Sequence, residues 1–160
     1  MSDWVPSENN PNDLSLTTME EMLSDVLQEQ AFMFSENRGD GEIAPPDPPY
    51  HYARIEFDGP CSGRLGLIFP QSLVSELIAN MLGIEVEDIE KEDISDALKE
   101  LLNVVCGKFL VAAFGPRLKF DLSIPTVTEI DLAQWEQHKS EQDTTTLLVE
   151  DEPVLFKLGL

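Results

Sequence analysis

In the stretch ISDALKELLNVVCGKFLVAAFG, Ile94 to Gly115, an acid, an acid, an amide and a glycine recur as Asp96, Glu100, Asn103 and Gly107. The pattern of apolar residues around them is that of a helix, so at about 100° per residue, with Asp96 at zero, Glu100 falls near 40°, Asn103 near 340° and Gly107 near 20°. Leu98, Leu101, Leu102, Val105 and Phe109 fall between about 140° and 240°, a continuous hydrocarbon face on the opposite side. The four residues therefore form a narrow polar ribbon about three turns long. Carboxylates pair with cations, and an amide both donates and accepts, so the ribbon could bind or assist chemistry. An ordinary solvent face is the alternative. Asp96 then only favours the helix dipole, by about 0.3 to 1 kcal/mol, Glu100 is solvated and Asn103 is tolerated. Gly107 fits that alternative less well, because a mid-helix glycine costs about 1 kcal/mol relative to alanine and is usually kept for close approach of something else. Spacing alone leaves both readings open.

The elements that must position such a ribbon follow from periodicity. A chain of 160 residues, 42% hydrophobic, suits one domain. We expect a loosely held tail over residues 1–13 and a single domain over 14–160. Leu16, Met19, Leu23, Val26, Leu27 and Phe34 recur at intervals that predict an amphipathic helix from Leu14 to about Phe34. The following loop holds an Arg-Gly-Asp tripeptide at Arg38 to Asp40, read as a turn. His51, Ala53, Ile55 and Phe57 alternate with polar neighbours as in a half-buried strand, and Leu65, Leu67 and Phe69 do so after a turn at Asp58, Gly59 and Pro60, which predicts an antiparallel hairpin. Pro70 opens a helix with Leu73, Val74, Leu77, Ile78 and Met81 on one face and Gly83 as its stop. Residues 84–93 are acidic but lack the ligand spacing of a calcium loop. After the ribbon helix, Leu118, Phe120, Leu122 and Ile124 predict a strand ended by Pro125, and the segment around Trp135 and His138 reads as polar. TTTLLVE and VLFKLGL make a closing hairpin. The expected class is α+β, a layered and mostly antiparallel sheet packed by helices, one of them the long ribbon helix.

Composition excludes several functions. The formal charge of −21, from 31 acids against 10 Lys and Arg, argues against binding nucleic acid or an anionic membrane through a basic surface. No apolar run reaches the roughly 18 to 20 residues that span a bilayer, and Met1 to Asp13 has no signal-peptide pattern, so a cytoplasmic location is expected. Cys61 and Cys106 are too few for a disulfide framework or a zinc site and read as reduced packing residues. His51 and His138 lack an accompanying serine or cysteine motif and are not pursued as nucleophile candidates.

The pattern Asp96-x3-Glu100-x2-Asn103, continued to Gly107, resembles the Asp/Ser-x3-Glu-x2-Asn signature of the CheC/CheX/FliY family of chemotaxis phosphatases. The element order is similar too, so the likeness spans roughly Leu14 to Leu160. Some members carry the signature twice; here the nearest second copy, Thr17-x3-Glu21-x2-Ser24, has serine where the amide should be, which makes the chain CheX-like. The resemblance implies a phosphatase acting on the aspartyl phosphate of a CheY-type receiver domain. It implies that Asn103 orients the attacking water, that Glu100 docks on the receiver's active-site lysine, that Asp96 makes a peripheral contact and that Gly107 admits the partner's loop. It also implies no cofactor of this chain's own, Mg2+ belonging to the partner, and that copies can pair as homodimers, with the terminal hairpin as one available edge. Neither nucleic acid nor membrane is an expected partner. A non-catalytic interaction module of the same fold, binding a signalling or flagellar partner, shares the same docked geometry. A third reading, a generic acidic domain with an accidental ribbon, requires Glu100 and Asn103 to be buried in the chain's own core.

Overall fold

Ala53, Ile55 and Phe57 on one strand stand opposite Leu67, Leu65 and Gly63 on the next, and this apolar hairpin is the middle of the sheet. The structure, a computed structural model, describes the backbone of residues 11–36 and 44–159, and side-chain surroundings from residue 17 onward. Most of the 1–13 tail and the Arg38 to Asp40 turn lie outside the described residues. The strands are β1 (Ser35–Glu36), β2 (Tyr50–Asp58), β3 (Gly63–Pro70), β4 (Asp121–Leu122), β5 (Thr126–Ile130), β6 (Thr144–Val149) and β7 (Glu152–Gly159). The helices are α1 (Pro11–Ala31), α2 (Gln71–Leu82), α3 (Lys91–Phe114) and α4 (Leu132–Lys139), with a short 3-10 turn at Val86–Asp88. One sheet of seven strands runs in the order β1-β6-β7-β3-β2-β4, with β5 also pairing β2. Every pairing is antiparallel.

One face of this sheet carries α1, α2 and α3. Leu65, Leu67 and Phe69 of β3 share a single buried cluster with Met19, Leu23, Val26 and Leu27 of α1, Leu73, Val74, Leu77 and Ile78 of α2, and the buried side of α3. Gly83 ends α2 in the left-handed conformation (φ 68°), where the absence of a Cβ removes the steric cost. The closing hairpin turns through Glu150 and Asp151, both at positive φ, as a two-residue loop with matching twist requires. Its strand β7 is internal, and β1 covers β6 only at Leu148 and Val149.

Three local expectations differ from the structure. First, α1 stops at Ala31, three residues early, because Phe32 adopts φ 55°; Phe34 is then exposed rather than part of the buried face. An aromatic residue in that left-handed region costs about 1 to 2 kcal/mol.

Second, residues 117–125 do not form one strand. Leu122 and Ile124 are exposed, the latter 84%. Between the pairs Phe57–Leu122 and Arg54–Thr126, the residues Ser123, Ile124 and Pro125 oppose only Ile55 and Glu56, which is a bulge. Ser123 holds it closed: its N–H donates to Glu56 O at 2.9 Å, and its Oγ accepts from Glu56 N at 2.9 Å. Pairing then resumes as β5, which the sequence reading missed.

Third, the segment around Trp135 is the helix α4, started by a capping box in which Gln134 N donates to Asp131 Oδ1 at 2.9 Å and Asp131 N donates to Gln134 Oε1 at 3.0 Å. It covers the second face of the sheet, where Trp135 stacks on Tyr50 with ring centroids 4.5 Å apart and packs with Ile68, Ile130 and Leu155.

The end of α4 is tied to the sheet by charge. Lys157 of β7 is only 8% exposed, and its Nζ donates to His138 Nδ1 at 2.9 Å and to Glu141 Oε2 at 2.9 Å. Burial first, and the Lys157 ammonium second, hold His138 below the ordinary histidine value of 6.5, although Glu141 and Asp143 pull the other way. The hydrogen bond from Lys157 is the main reason Glu141 titrates below its ordinary 4.5. Both groups bind protons less readily in the folded chain than in the unfolded one. Their stabilisation is therefore complete above about pH 6.5 and is lost on acidification, first through His138 and then through Glu141. In urea unfolding at about pH 7.5 and pH 5, His138→Gln should narrow the difference in stability between the two pH values relative to wild type; an unchanged difference would show that the His138 proton is not linked to folding.

Candidate functional site

Helix α3 is 24 residues long and capped at its start. Glu90 and Asp93 form its capping box, with Glu90 N donating to Asp93 Oδ2 at 2.9 Å, and Glu92 and Asp93 place negative charge in the first turn, where the helix dipole favours it. Leu98, Leu101, Leu102, Val105 and Phe109 are all buried, as the angular pattern requires. On the opposite side Asp96, Glu100 and Asn103 are exposed and Gly107 is half-buried. The reading in which Glu100 and Asn103 belong to the chain's own core is thereby removed.

The four ribbon residues are brought onto one line, spanning about 16 Å at 1.5 Å per residue. Asp96, Glu100 and Asn103 make no side-chain hydrogen bond or ion pair with the described residues. A Cβ built on Gly107 meets nothing within 4 Å, so no crowding within this chain calls for a glycine there. The line ends sooner than its spacing suggests, because Phe114, which shares the ribbon's direction, is buried against Phe109 and Phe120. Of the flanking residues, Val104 packs on the core and Val111 is 52% exposed. Cys106, next to Gly107, is buried, and burial pushes its thiol up to about 12.

Helix α1 lies along one side of the ribbon. Lys108 Nζ meets Glu29 Oε2 at 3.1 Å, an exposed pair of small energetic weight that nonetheless occupies this lysine. The imperfect second copy of the signature does not form a second site: Ser24 is half-buried and shares a hydrogen bond with Ser35 Oγ at 2.5 Å. At the head of the ribbon Asp96 and Glu100, with Asp93 and Ala97, form one wall of a groove of about 210 Å3 whose other wall is Gln30, Met81 and Leu82. Sequence reasoning missed these groove residues. Met81 was assigned to packing, and the only signal at Leu82 was an apolar residue placed directly before the helix-stopping glycine. Two larger recesses, of about 570 Å3 beside Arg64 and about 380 Å3 beside His51, include none of the four ribbon residues. His51 itself is buried and held by Gln71 Oε1 at 2.5 Å. Among the described residues no group of histidine, cysteine and acid side chains is arranged to hold a metal ion, and no helix is long and apolar enough to cross a membrane.

An arrangement of this kind can reach into another molecule. It offers a carboxylate to pair with a cation and, one turn further, an amide to accept and donate, both on a rigid helix with no side chains of its own in the way.

Comparison with known proteins agrees with the geometry. Residues 51–147 match the family described as Chemotaxis phosphatase CheX. No curated protein sequence matches the chain. Among solved structures, a chemotaxis protein CheX from Desulfovibrio desulfuricans superposes with a TM-score of 0.65 at 15% identity, over 91% of this chain and 97% of that one. The chemotaxis protein CheX from Vibrio vulnificus gives 0.65 at 18% identity, over 91% and 98%. The CheX–CheY–BeF3–Mg2+ complex from Borrelia burgdorferi gives 0.61 at 13% identity, over 91% and 96%. At these identities the structural likeness speaks for the fold, and the sequence match for the family. The chain, with its single exposed Asp96-Glu100-Asn103 ribbon on α3, belongs to the CheX family of chemotaxis phosphatases.

Proposed function

We propose that this protein accelerates hydrolysis of the aspartyl phosphate of a CheY-type receiver domain, and that the ribbon of α3 is the part that enters the receiver's site. The observation that carries this reading is the pair Glu100 and Asn103, both exposed and without partners among the described residues, one turn apart on a helix whose other face is buried. A solved CheX relative in complex with CheY, BeF3 and Mg2+ supports the choice of partner.

The chemistry asks little of the helper. In an acyl phosphate, water attacks phosphorus, the bond from phosphorus to the carboxylate oxygen breaks, and phosphate and free aspartate result. Placing the water in line and balancing charge are the main demands. Asn103 Oδ1 accepts a hydrogen bond from the water while its Nδ2 donates to a phosphoryl oxygen, so the amide orients the nucleophile without being consumed. Glu100, about 4.5 Å earlier along the axis, pairs with the receiver's active-site lysine and sets the register of the two proteins. Asp96 contacts the receiver at the periphery. Gly107 leaves room for a loop of the receiver to approach the backbone of α3. Mg2+ is supplied by the receiver, and this chain contributes no metal ligand to the step.

The decay of phosphorylated receiver, followed with Mg2+ present, tests the assignment. Wild-type protein should speed decay, and Asn103→Ala should lower that acceleration by about 10²-fold, the size expected when a reacting group is misplaced, while still binding. Glu100→Ala should raise the protein concentration needed for half-maximal effect by about thirtyfold or more, since truncating one partner of an interfacial charge pair costs about 2 kcal/mol or more. Binding without any acceleration would leave a non-catalytic interaction module in place of the enzyme.

Gly107→Ala separates the glycine's two consequences. With nothing within 4 Å of the added methyl, the substitution should stabilise the fold by up to about 1 kcal/mol through helix propensity, read as a higher midpoint in urea. The same variant should accelerate decay less than wild type. Full activity in the stabilised variant would mean that no partner approaches at Gly107.

A further inference from the structure

The ribbon lies on a chain of formal charge −21, and the proposed target is an anionic phosphoryl group. Long-range electrostatics therefore opposes the encounter, and one charge pair at Glu100 acts against that background. Affinity must come from contacts that do not depend on net charge. Two exposed large apolar residues lie at the ends of α1 and α2, the elements that supply Gln30, Met81 and Leu82 to the groove at the head of the ribbon. Leu82 is 48% exposed and lines the same groove as Asp96 and Glu100. Phe32 is 73% exposed and stands two residues beyond Gln30, another lining residue of that groove.

Both positions are held firmly. Asn80 Nδ2 donates to Ala31 O at 2.8 Å, binding the end of α2 to the end of α1. Met33 N donates to Leu27 O at 3.1 Å, which fixes the backbone on the far side of Phe32. Phe32 nevertheless sits at φ 55°, in a region where a bulky residue is an outlier and glycine is at ease. A large ring kept in water at a strained backbone position serves neither the core nor the turn, and such outliers concentrate at functional sites.

We propose that Phe32 and Leu82 form an apolar anchor that docks the receiver domain beside the ribbon, an inference that rests on the reading of the ribbon given above. The partner it fits is a receiver with an apolar patch flanking its phosphorylation site. Leu82 lines the groove that Asp96 and Glu100 also line, so one docking event would bury the leucine and the ring at the end of α1 while the helix delivers Glu100 and Asn103. Apolar burial is insensitive to the charge repulsion that salt screens, and the anchor supplies affinity where net charge withholds it.

The test uses receiver activated with BeF3− and Mg2+ as a stable stand-in for the phosphorylated form, titrated calorimetrically with wild-type protein, Leu82→Ser, Phe32→Gly and the double variant. Each single variant should weaken binding severalfold, and the double variant about tenfold or more. Phe32→Gly should at the same time raise the thermal midpoint of the free protein, because it relieves the backbone. Loss of affinity in a more stable protein is a signature that a folding defect cannot produce. Wild-type affinity in both single variants, with Asn103→Ala still lowering the acceleration about 10²-fold, would overturn the anchor and leave the phosphatase reading standing. Wild-type protein that neither binds the activated receiver nor speeds decay of the phosphorylated one would overturn both.

Discussion

Burial of one face of α3 decides what its other face can do. Leu98, Leu101, Leu102, Val105 and Phe109 are fully enclosed by the sheet and by α1 and α2. Turning the helix by one residue, about 100°, would pull two of these leucines toward water and press the Glu100 carboxylate toward hydrocarbon, where an unpaired charge is not tolerated. The direction of the ribbon is thus set by the hydrophobic effect acting on residues that never meet a partner. Few contacts on the ribbon side are needed, and the Glu29–Lys108 pair there is exposed and weak.

The rest of the architecture follows from holding that helix still. The antiparallel hairpin of β2 and β3 gives α3 a broad apolar floor, and α1 closes one flank while leaving the ribbon open. Helix α4 then protects the back of the sheet, so that Tyr50 and Ile68 are buried although they face away from the main core. Under the proposed function the machinery is small: one helix, two side chains and a gap. The recess of about 570 Å3 beside Arg64 includes none of the ribbon residues.

Most of this was legible where one strong period governs a segment. The α3 angles computed from sequence separate exposed from buried positions correctly from Asp96 to Phe109, and the two hairpins were readable from alternation and turn residues. Failures came where local patterns competed with tertiary demands. Leu118, Phe120, Leu122 and Ile124 alternate perfectly, yet the bulge at Ser123 releases Ile124 into water, because a side-chain hydroxyl replaces a backbone carbonyl in the ladder. Helix α4 is eight residues long with one buried side chain, Trp135, too little for a periodicity argument; its capping pair Asp131 and Gln134 was the available signal. At the site, spacing indicated the ribbon, but the open space around Gly107 and the groove shared with α2 depend on elements far apart in sequence.

The cysteine beside the gap has a consequence of a different kind. Cys106 is fully enclosed, and with its thiol pushed up to about 12 practically none of it is thiolate at neutral pH. Oxidants and alkylating reagents act through the thiolate. The ribbon therefore sits on a helix whose one sulfhydryl is enclosed and held as the thiol. For spectroscopy this provides a quiet background on α3, against which a reporter thiol placed on the exposed face would be read once the half-buried Cys61 is replaced.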